Sequence, residues 1–417
     1  MTRNILLFTL LILGTFSCTN TSSEAGAGDM SEAEIEAMAN ELAHEFIITD
    51  GHVDLPYRLT ITNFRFTKEL IGIPIETDNG DFDYKRAKQG GLDAPFMSIY
   101  IPASYQETGG AKEFADSLID MVRGVAEAHP DKFALATSPA QVEEQFQKGL
   151  VSLPMGMENG APVGDDLANV AYFHERGIRY ITLTHSKDNQ ICDSSYDDSE
   201  TWGGLSEFGR KVVEEMNRVG IMVDISHVSD NTFYQVMELT KAPVIASHSS
   251  CRKYTPGFER NMSDDMLKKL AENGGVIQIN FGTGFLDGSL RESSRRKRNE
   301  LDSILQAQNL EATDDAAQPI IEQFREDNKA LMYSDVQMVA NHIDNVVKVA
   351  GIDHVGLGSD FDGVGDSLPT GLKDVSQYPN LIAELLRRGY SKEDIRKICY
   401  ANVWRVWNEV EQVAESM

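Results

Sequence analysis

Short runs of β-branched and aromatic residues recur along the chain. Between them lie longer stretches whose apolar residues return every three or four positions. The runs are "FIITDGHVDL", "APFMSIYIP", "VSLPMGMENG", "IRYITLTH", "IMVDISHVS", "PVIASHSS", "GVIQINF" and "HVGLGSDFDG". Most are apolar nearly throughout, as strands covered on both faces are. The intervening segments, such as "LSEFGRKVVEEMNRVG" and "SDDMLKKLAENGG", have helical periodicity. This alternation predicts the α/β class with a parallel sheet. Eight runs predict a closed (β/α)₈ barrel of the TIM type, formed by one domain over residues 31–417. A doubly wound open sheet is the alternative, but no glycine-rich phosphate loop follows the first run.

Two regions break the rhythm. Residues from about 285 to 333, including "RESSRRKRNELDSILQAQNLEATDDAAQ", are charged, helix-prone and poor in core residues. They read as an insertion after the seventh strand, either a solvated helical excursion or a lid. At the other end, "MTRNILLFTLLILGTFSC" has a basic start at Arg3 and a short apolar run from Ile5 to Leu13. That is the pattern of a secretory signal, too short for a membrane span. Cys18 falls where a lipoprotein signal has its lipidated cysteine, although Thr15 stands at the −3 position where Leu is commonest. A plain signal peptide cut nearby is the alternative. Residues 19–30 then read as a flexible tether, and Ser31 with Glu34 has capping-box spacing for a first helix. The expectation is an exported protein of a bacterial cell envelope, attached to the membrane only through a lipid on Cys18.

Composition narrows the partners. The 417 residues carry 65 acidic against 38 basic side chains, a formal net charge of −27. The acids are spread along the chain, so they describe a soluble acidic surface, and such a balance repels nucleic acid. After Cys18 three cysteines remain, Cys192, Cys251 and Cys399, an odd number without metal-site spacing. Buried free thiols are expected rather than a disulfide framework.

Candidate chemistry lies at the ends of the runs. His52 and Asp54 end the first, Glu158 the third, His185 the fourth, His227 the fifth, His248 the sixth and Asp360 the eighth. In a barrel all these C-terminal ends meet at one face. Residues i and i+2 of a strand project to the same side, so His52 and Asp54 can serve one ion. One histidine at a strand end is ordinarily a hydrogen-bonded structural residue. Four of the chain's nine histidines in that position are harder to dismiss. Imidazoles and carboxylates without thiolate suit Zn²⁺, with Mn²⁺ or Co²⁺ as alternatives. Three histidines and two carboxylates exceed the needs of one tetrahedral ion with an open position. Two ions sharing a carboxylate fit better, and Glu158 is the natural bridge. Between Asp360 and its neighbour Asp362, alternation alone cannot choose.

The motifs "DGHVDLP", "QGGLDAPFMSIYIP", "GMENG", "YITLTHS", "VDISHVS", "PVIASHSSCR", "ERNMSDDML" and "GLGSDFDG" resemble, in order and spacing, those of the membrane dipeptidase (renal dipeptidase) family of metallo-dependent amidohydrolases. The resemblance covers most of residues 46–410. It implies a zinc-dependent hydrolase of dipeptides, including those with C-terminal D-residues, acting through a hydroxide that bridges two zinc ions. His52 and Asp54 would bind one zinc, His227 and His248 the other, and Glu158 both. Asp360 corresponds to the acid that orients the water, contacts substrate and shuttles the proton. His185 corresponds to the histidine near the scissile carbonyl, and Arg260 to the arginine that pairs with the substrate carboxylate. A homodimer is an assembly open to such a chain. Asn159 stands where relatives often have glycine, and the loop "SKDNQICDSS", the lack of evident counterparts to the mammalian intrachain disulfides and the 285–333 insertion also depart from the pattern. Rival readings are another amidohydrolase, acting on cyclic amides or β-lactams, and a non-catalytic surface solute-binding lipoprotein. The amidohydrolases with a carboxylated lysine bridge are disfavoured because the third run offers Glu158 and no lysine.

Overall fold

A computed structural model describes residues 30–417. The leader and all but the last residue of the tether lie outside the described residues. The first helix, Glu32–Glu45, opens with the expected capping box between Ser31 and Glu34.

All eight runs form strands of one closed parallel barrel, but the third run is two strands, not one. The strands are β1 (Ile48–Val53), β2 (Leu92–Tyr100), β3 (Phe133–Leu135), β4 (Val151–Leu153), β5 (Met155–Glu158), β6 (Ile178–Thr182), β7 (Met222–Asp224), β8 (Ile245–Ser249), β9 (Val276–Ile279) and β10 (Val355–Leu357). The barrel runs β1-β10-β9-β8-β7-β6-β5-β2, and β3 pairs with β4 beside it. Pro154 divides "VSLPMGME": it cannot donate a ladder hydrogen bond, so the chain changes partners there. Val151–Leu153 joins β3 and Met155–Glu158 enters the barrel.

The strands are buried almost throughout, as their apolar runs require. Helices between them supply the outer layer, and most of the apolar core is one contiguous cluster. A second cluster joins residues near the strand starts, Ala94, Met222, Ile245 and Val276, to Val403, Val406 and Trp407 of the C-terminal helix Asn402–Ser416. That helix packs at the N-terminal end of the barrel and leaves the opposite mouth for the polar strand ends. Cys192, Cys251 and Cys399 are buried free thiols, as expected.

The 285–333 segment is a pair of helices, Gly288–Ala307 and Gln318–Met332, after a short turn of helix at Thr283–Leu286. It is more than a solvated excursion. Leu301, Leu305, Ala317 and Ile321 form a small apolar cluster of their own between the two helices. Among the described residues no helix is long and apolar enough to cross a membrane.

Candidate metal centre and active site

Six of the eight barrel strands deliver the ligand-type side chains singled out in the sequence to the mouth. β1 gives His52 directly and Asp54 just past its end, while β5 ends on Glu158 and β8 contains His248. His185, His227 and Asp360 lie three residues beyond the ends of β6, β7 and β10. His227 and Asp360 have positive φ, 71° and 65°. A histidine is uncommon in that region, and such backbone persists where the surroundings fix it, most often at functional sites. The positive φ of Asp360 and of Asp362 (66°) also shows why strand alternation could not choose between them: neither residue is in a strand.

The cluster closes around Glu158. Its Oε1 lies 3.0 Å from His227 Nε2, 3.2 Å from His248 Nε2 and 3.7 Å from His185 Nε2. Its Oε2 lies 3.5 Å from His52 Nε2, which is 3.4 Å from Asp54 Oδ2. His52, Asp54 and Asp360 bring donor atoms within 4.8 Å of one another, as do His52, Glu158 and His248, and Glu158, His185 and His227. Thus the two oxygens of Glu158 face different donors, Oε1 toward His227, His248 and His185 and Oε2 toward His52. The cavity above them is about 720 Å³ and is also lined by Tyr57, Tyr100, Tyr196 and Phe285.

The donor set fits divalent cations. The Nε2 atoms of His227 and His248 face each other at 2.9 Å across a carboxylate oxygen, and buried His52 Nε2 has no hydrogen-bond partner. For His52 and His248 the far sides of the rings explain why Nε2 is available, whereas His227 Nδ1 has no partner among the described residues. Tyr180 Oη donates to the Gly51 carbonyl (3.0 Å) and so accepts from His52 Nδ1 (2.9 Å). Ser247 Oγ donates to Asp224 Oδ2 (2.6 Å) and so accepts from His248 Nδ1 (2.7 Å). Each arrangement puts the proton on Nδ1 and the lone pair of Nε2 into the site, the outer support that metal-binding histidines need.

Electrostatics agrees for most of the cluster. Burial and the Arg260 charge hold His227 well below the usual histidine range; burial, His52 and Arg260 hold His248 down at about 3. Burial also lowers His185. These imidazoles are neutral, the form that binds metal. Burial opposes the charge on His52, but Tyr180, Asp54 and Glu158 outweigh it and push its pKa well up. Burial likewise opposes the Glu158 carboxylate, yet the surrounding histidines hold its pKa well below the ordinary range. Asp360 is raised to about 7, first by burial and then by Asp54 and Glu158, while His52 and Asn280 pull the other way.

All eight residues singled out in the sequence gather at or beside this mouth. Arg260 lies behind it: Nη1 donates to Ser249 Oγ (2.6 Å), Nη2 to the His248 carbonyl (2.9 Å), and Nε has no partner. Four supporting residues were missed. Asn280, one residue past β9, donates from Nδ2 to Asp360 Oδ2 (2.7 Å) and fills the one strand end that had no assigned role besides β2. Its place at a run's end was a readable signal. Tyr180, Asp224 and Ser247 had none, because they lie within apolar runs and act through other side chains. Asp224 accepts from Thr182, Ser226, Ser247 and the Ser247 backbone, which fixes its orientation. Asn159 has φ 79°, a conformation glycine adopts freely and asparagine tolerates.

The family model for membrane dipeptidases, peptidase family M19, matches residues 36–417. The chain belongs to the membrane dipeptidase family. Solved structures with the same fold include the probable dipeptidase PvdM from Pseudomonas aeruginosa. It is 28% identical, with 92% of this chain and 100% of that one covered and a TM-score of 0.74. A second is dipeptidase AC, a metallopeptidase of family M19, at 27% identity, 88% and 98% coverage and a TM-score of 0.72. A third is a metallopeptidase from Rhodobacter sphaeroides bound to a phosphinate mimic of L-Ala-D-Ala, at 26% identity, 88% and 99% coverage and a TM-score of 0.71. The chain is a metallo-dipeptidase, and the candidate metal-binding groups at the barrel mouth are those described above.

Proposed function

We propose that this membrane dipeptidase family member is a two-zinc enzyme whose substrates include dipeptides with a C-terminal D-residue. The observation that carries the metal count is the position of Glu158, with Oε2 toward His52, which lies beside Asp54, and Oε1 toward His227 and His248. His52 and Asp54 would hold one ion, His227 and His248 the other, and Glu158 both. Nitrogen and oxygen donors without sulfur favour zinc. Bound at these residues, the pair would supply a water acidified toward neutrality and a polarised scissile carbonyl, the bridging-hydroxide chemistry of two-metal hydrolases.

The protein's own groups do the rest. Asp360, aimed by Asn280, takes the proton of the attacking water and returns it to the leaving amine. The neutral His185 ring hydrogen-bonds the carbonyl oxygen as charge builds on it. Arg260 offers Nε–H, and the second hydrogens of its Nη atoms, to the substrate carboxylate. The L-Ala-D-Ala mimic in the Rhodobacter sphaeroides enzyme supports the D-residue reading. Export and a lipid on Cys18 rest on the sequence of the first 18 residues.

A panel of L,L-, L,D- and D,D-dipeptides with metal analysis tests the proposal. The expected result is two zinc ions per chain and turnover of Ala-Ala and Ala-D-Ala, abolished by chelator and restored by zinc. One ion per chain at full activity would refute the shared carboxylate. Turnover of L,L-dipeptides alone would refute the D-residue assignment.

A further inference from the structure

The insertion helix Gly288–Ala307 brings a basic stretch, "RESSRRKRNE", to the mouth of an otherwise strongly acidic protein. Of its five basic side chains two are paired within the helix, exposed Arg295 has no ion pair among the described residues and does not line the cavity, and Arg291 and Arg298 lie toward the mouth. Arg296 pairs with Glu292 (3.2 Å) and Lys297 with Glu300 (2.8 Å), both within the helix. Arg291 and Arg298 are seven residues apart, two turns or about 10 Å along one face. Among the described residues neither has a carboxylate within ion-pair distance, 4.0 Å. Arg298 lines the active-site cavity itself. Arg291 lies at its rim, stacked 3.5 Å over the Phe258 ring and close to Gly284.

Arg298 is held, yet its charge is not spent. Nη1 donates to the carbonyl oxygen of Asp366 (3.3 Å). The Asp366 carboxylate is already engaged by Arg325 Nε (3.0 Å) and Tyr333 Oη (2.8 Å). The guanidinium therefore keeps Nε and Nη2 free of protein partners among the described residues, beside a cavity of dipeptide size. The acids across that cavity have other counterparts. Asp362 accepts from Arg58 (2.8 Å), while Asp54 and Glu158 face the imidazoles. Under the proposed function, Arg260 accounts for the one carboxylate every dipeptide carries, so Arg298, the one unpaired arginine of this stretch that lines the cavity, is available to a second anionic group.

We infer that the insertion gives the active site an electropositive lip, and that Arg298 pairs with an acidic side chain of the substrate. The enzyme then prefers dipeptides containing Asp or Glu over their Asn or Gln isosteres. A planar fork fixes a carboxylate in two contacts, whereas the neutral amide offers a single acceptor oxygen. The inference rests on the dipeptidase reading and adds the substrate class to it.

The test is kcat/KM for matched pairs, Asp against Asn and Glu against Gln, at each position of an alanine dipeptide, with the zinc-loaded enzyme. Wild type should favour the acid by about tenfold or more at one position, mostly through KM. Arg298→Gln should collapse that ratio, and Arg298→Glu should turn the preference toward Lys-containing dipeptides. Arg296→Gln, at a pair within the helix, should leave the ratio as in wild type. Turnover of neutral dipeptides with no acid preference, or a ratio unmoved by Arg298→Gln, overturns the acidic subsite alone. No turnover of any dipeptide overturns the subsite and the dipeptidase reading together.

Discussion

The barrel mouth and the insertion meet at one cavity but are held by different means. At the mouth several of the site's side chains are held from behind by hydrogen bonds, most of them rooted on neighbouring strands. Tyr180 holds His52, Ser247 and Asp224 hold His248, and Asn280 holds Asp360. Asp50 accepts from the backbone N–H groups of His52 (2.9 Å) and Ser359 (3.0 Å), which ties β1 to the start of the Asp360 loop. In the insertion most ion pairs are between residues three or four apart, and the apolar support is a few residues between two helices. The closed sheet thus supplies positional precision, and the excursion supplies one charged face. Chemistry needing groups aligned within fractions of an ångström belongs to the first, and selection among substrates to the second.

The sharpest way to break this contrast is at Asp360. Asp360→Asn keeps the shape but cannot take up the proton, so kcat should fall at least ~10²-fold while metal content stays at the wild-type level. Near-normal turnover would remove Asp360 from the chemistry and leave the mouth a binding site only. A smaller effect is expected one layer out. Asp224→Asn loosens the Ser247–His248 support, and outer-shell changes of this kind cost about 10- to 100-fold in metal affinity. Competition with a chelator measures it. Unchanged affinity would mean that His248 is positioned by its strand alone.

These layers also differ in how legible they are from sequence. The eight runs, and the ligand-type residues at their ends, could be read because a strand buried on both faces leaves its polar end conspicuous. The break at Pro154 was readable in principle, since proline cannot donate within a ladder, but an apolar residue on either side hid it. Asp360 could not be told from Asp362 because strand alternation does not extend into a loop with positive φ. There Asp362 turns to Arg58 and to the backbone of Asp81 (2.6 Å). Tyr180 and Asp224 look like ordinary strand residues, and their roles come from neighbours more than 40 positions away, Gly51, His52 and Thr182 among them. The insertion was legible as helix and charge but not as a cavity wall, because which face of a helix meets the barrel is decided by packing.

The smallest expected effect tests whether the insertion is mechanically separate from the barrel. Leu305 is 3% exposed within the four-residue cluster of the helix pair. A buried Leu→Ala change ordinarily costs about 2–5 kcal/mol when the whole domain feels it. Here the cluster is distinct from the main core, so the loss should appear as local opening. Leu305→Ala should speed amide hydrogen exchange in residues 288–332 and leave exchange in β1, β5 and β8 unchanged. Turnover of Ala-Ala should stay within about twofold of wild type, because none of the candidate metal-binding residues lies on that helix pair, and Arg298 serves only acidic substrates. Faster exchange in the barrel strands, or a large loss of turnover, would mean that the insertion braces the metal-facing loops. Asp366 would then be the connecting point, since Arg298, Arg325 and Tyr333 all reach it from the insertion side.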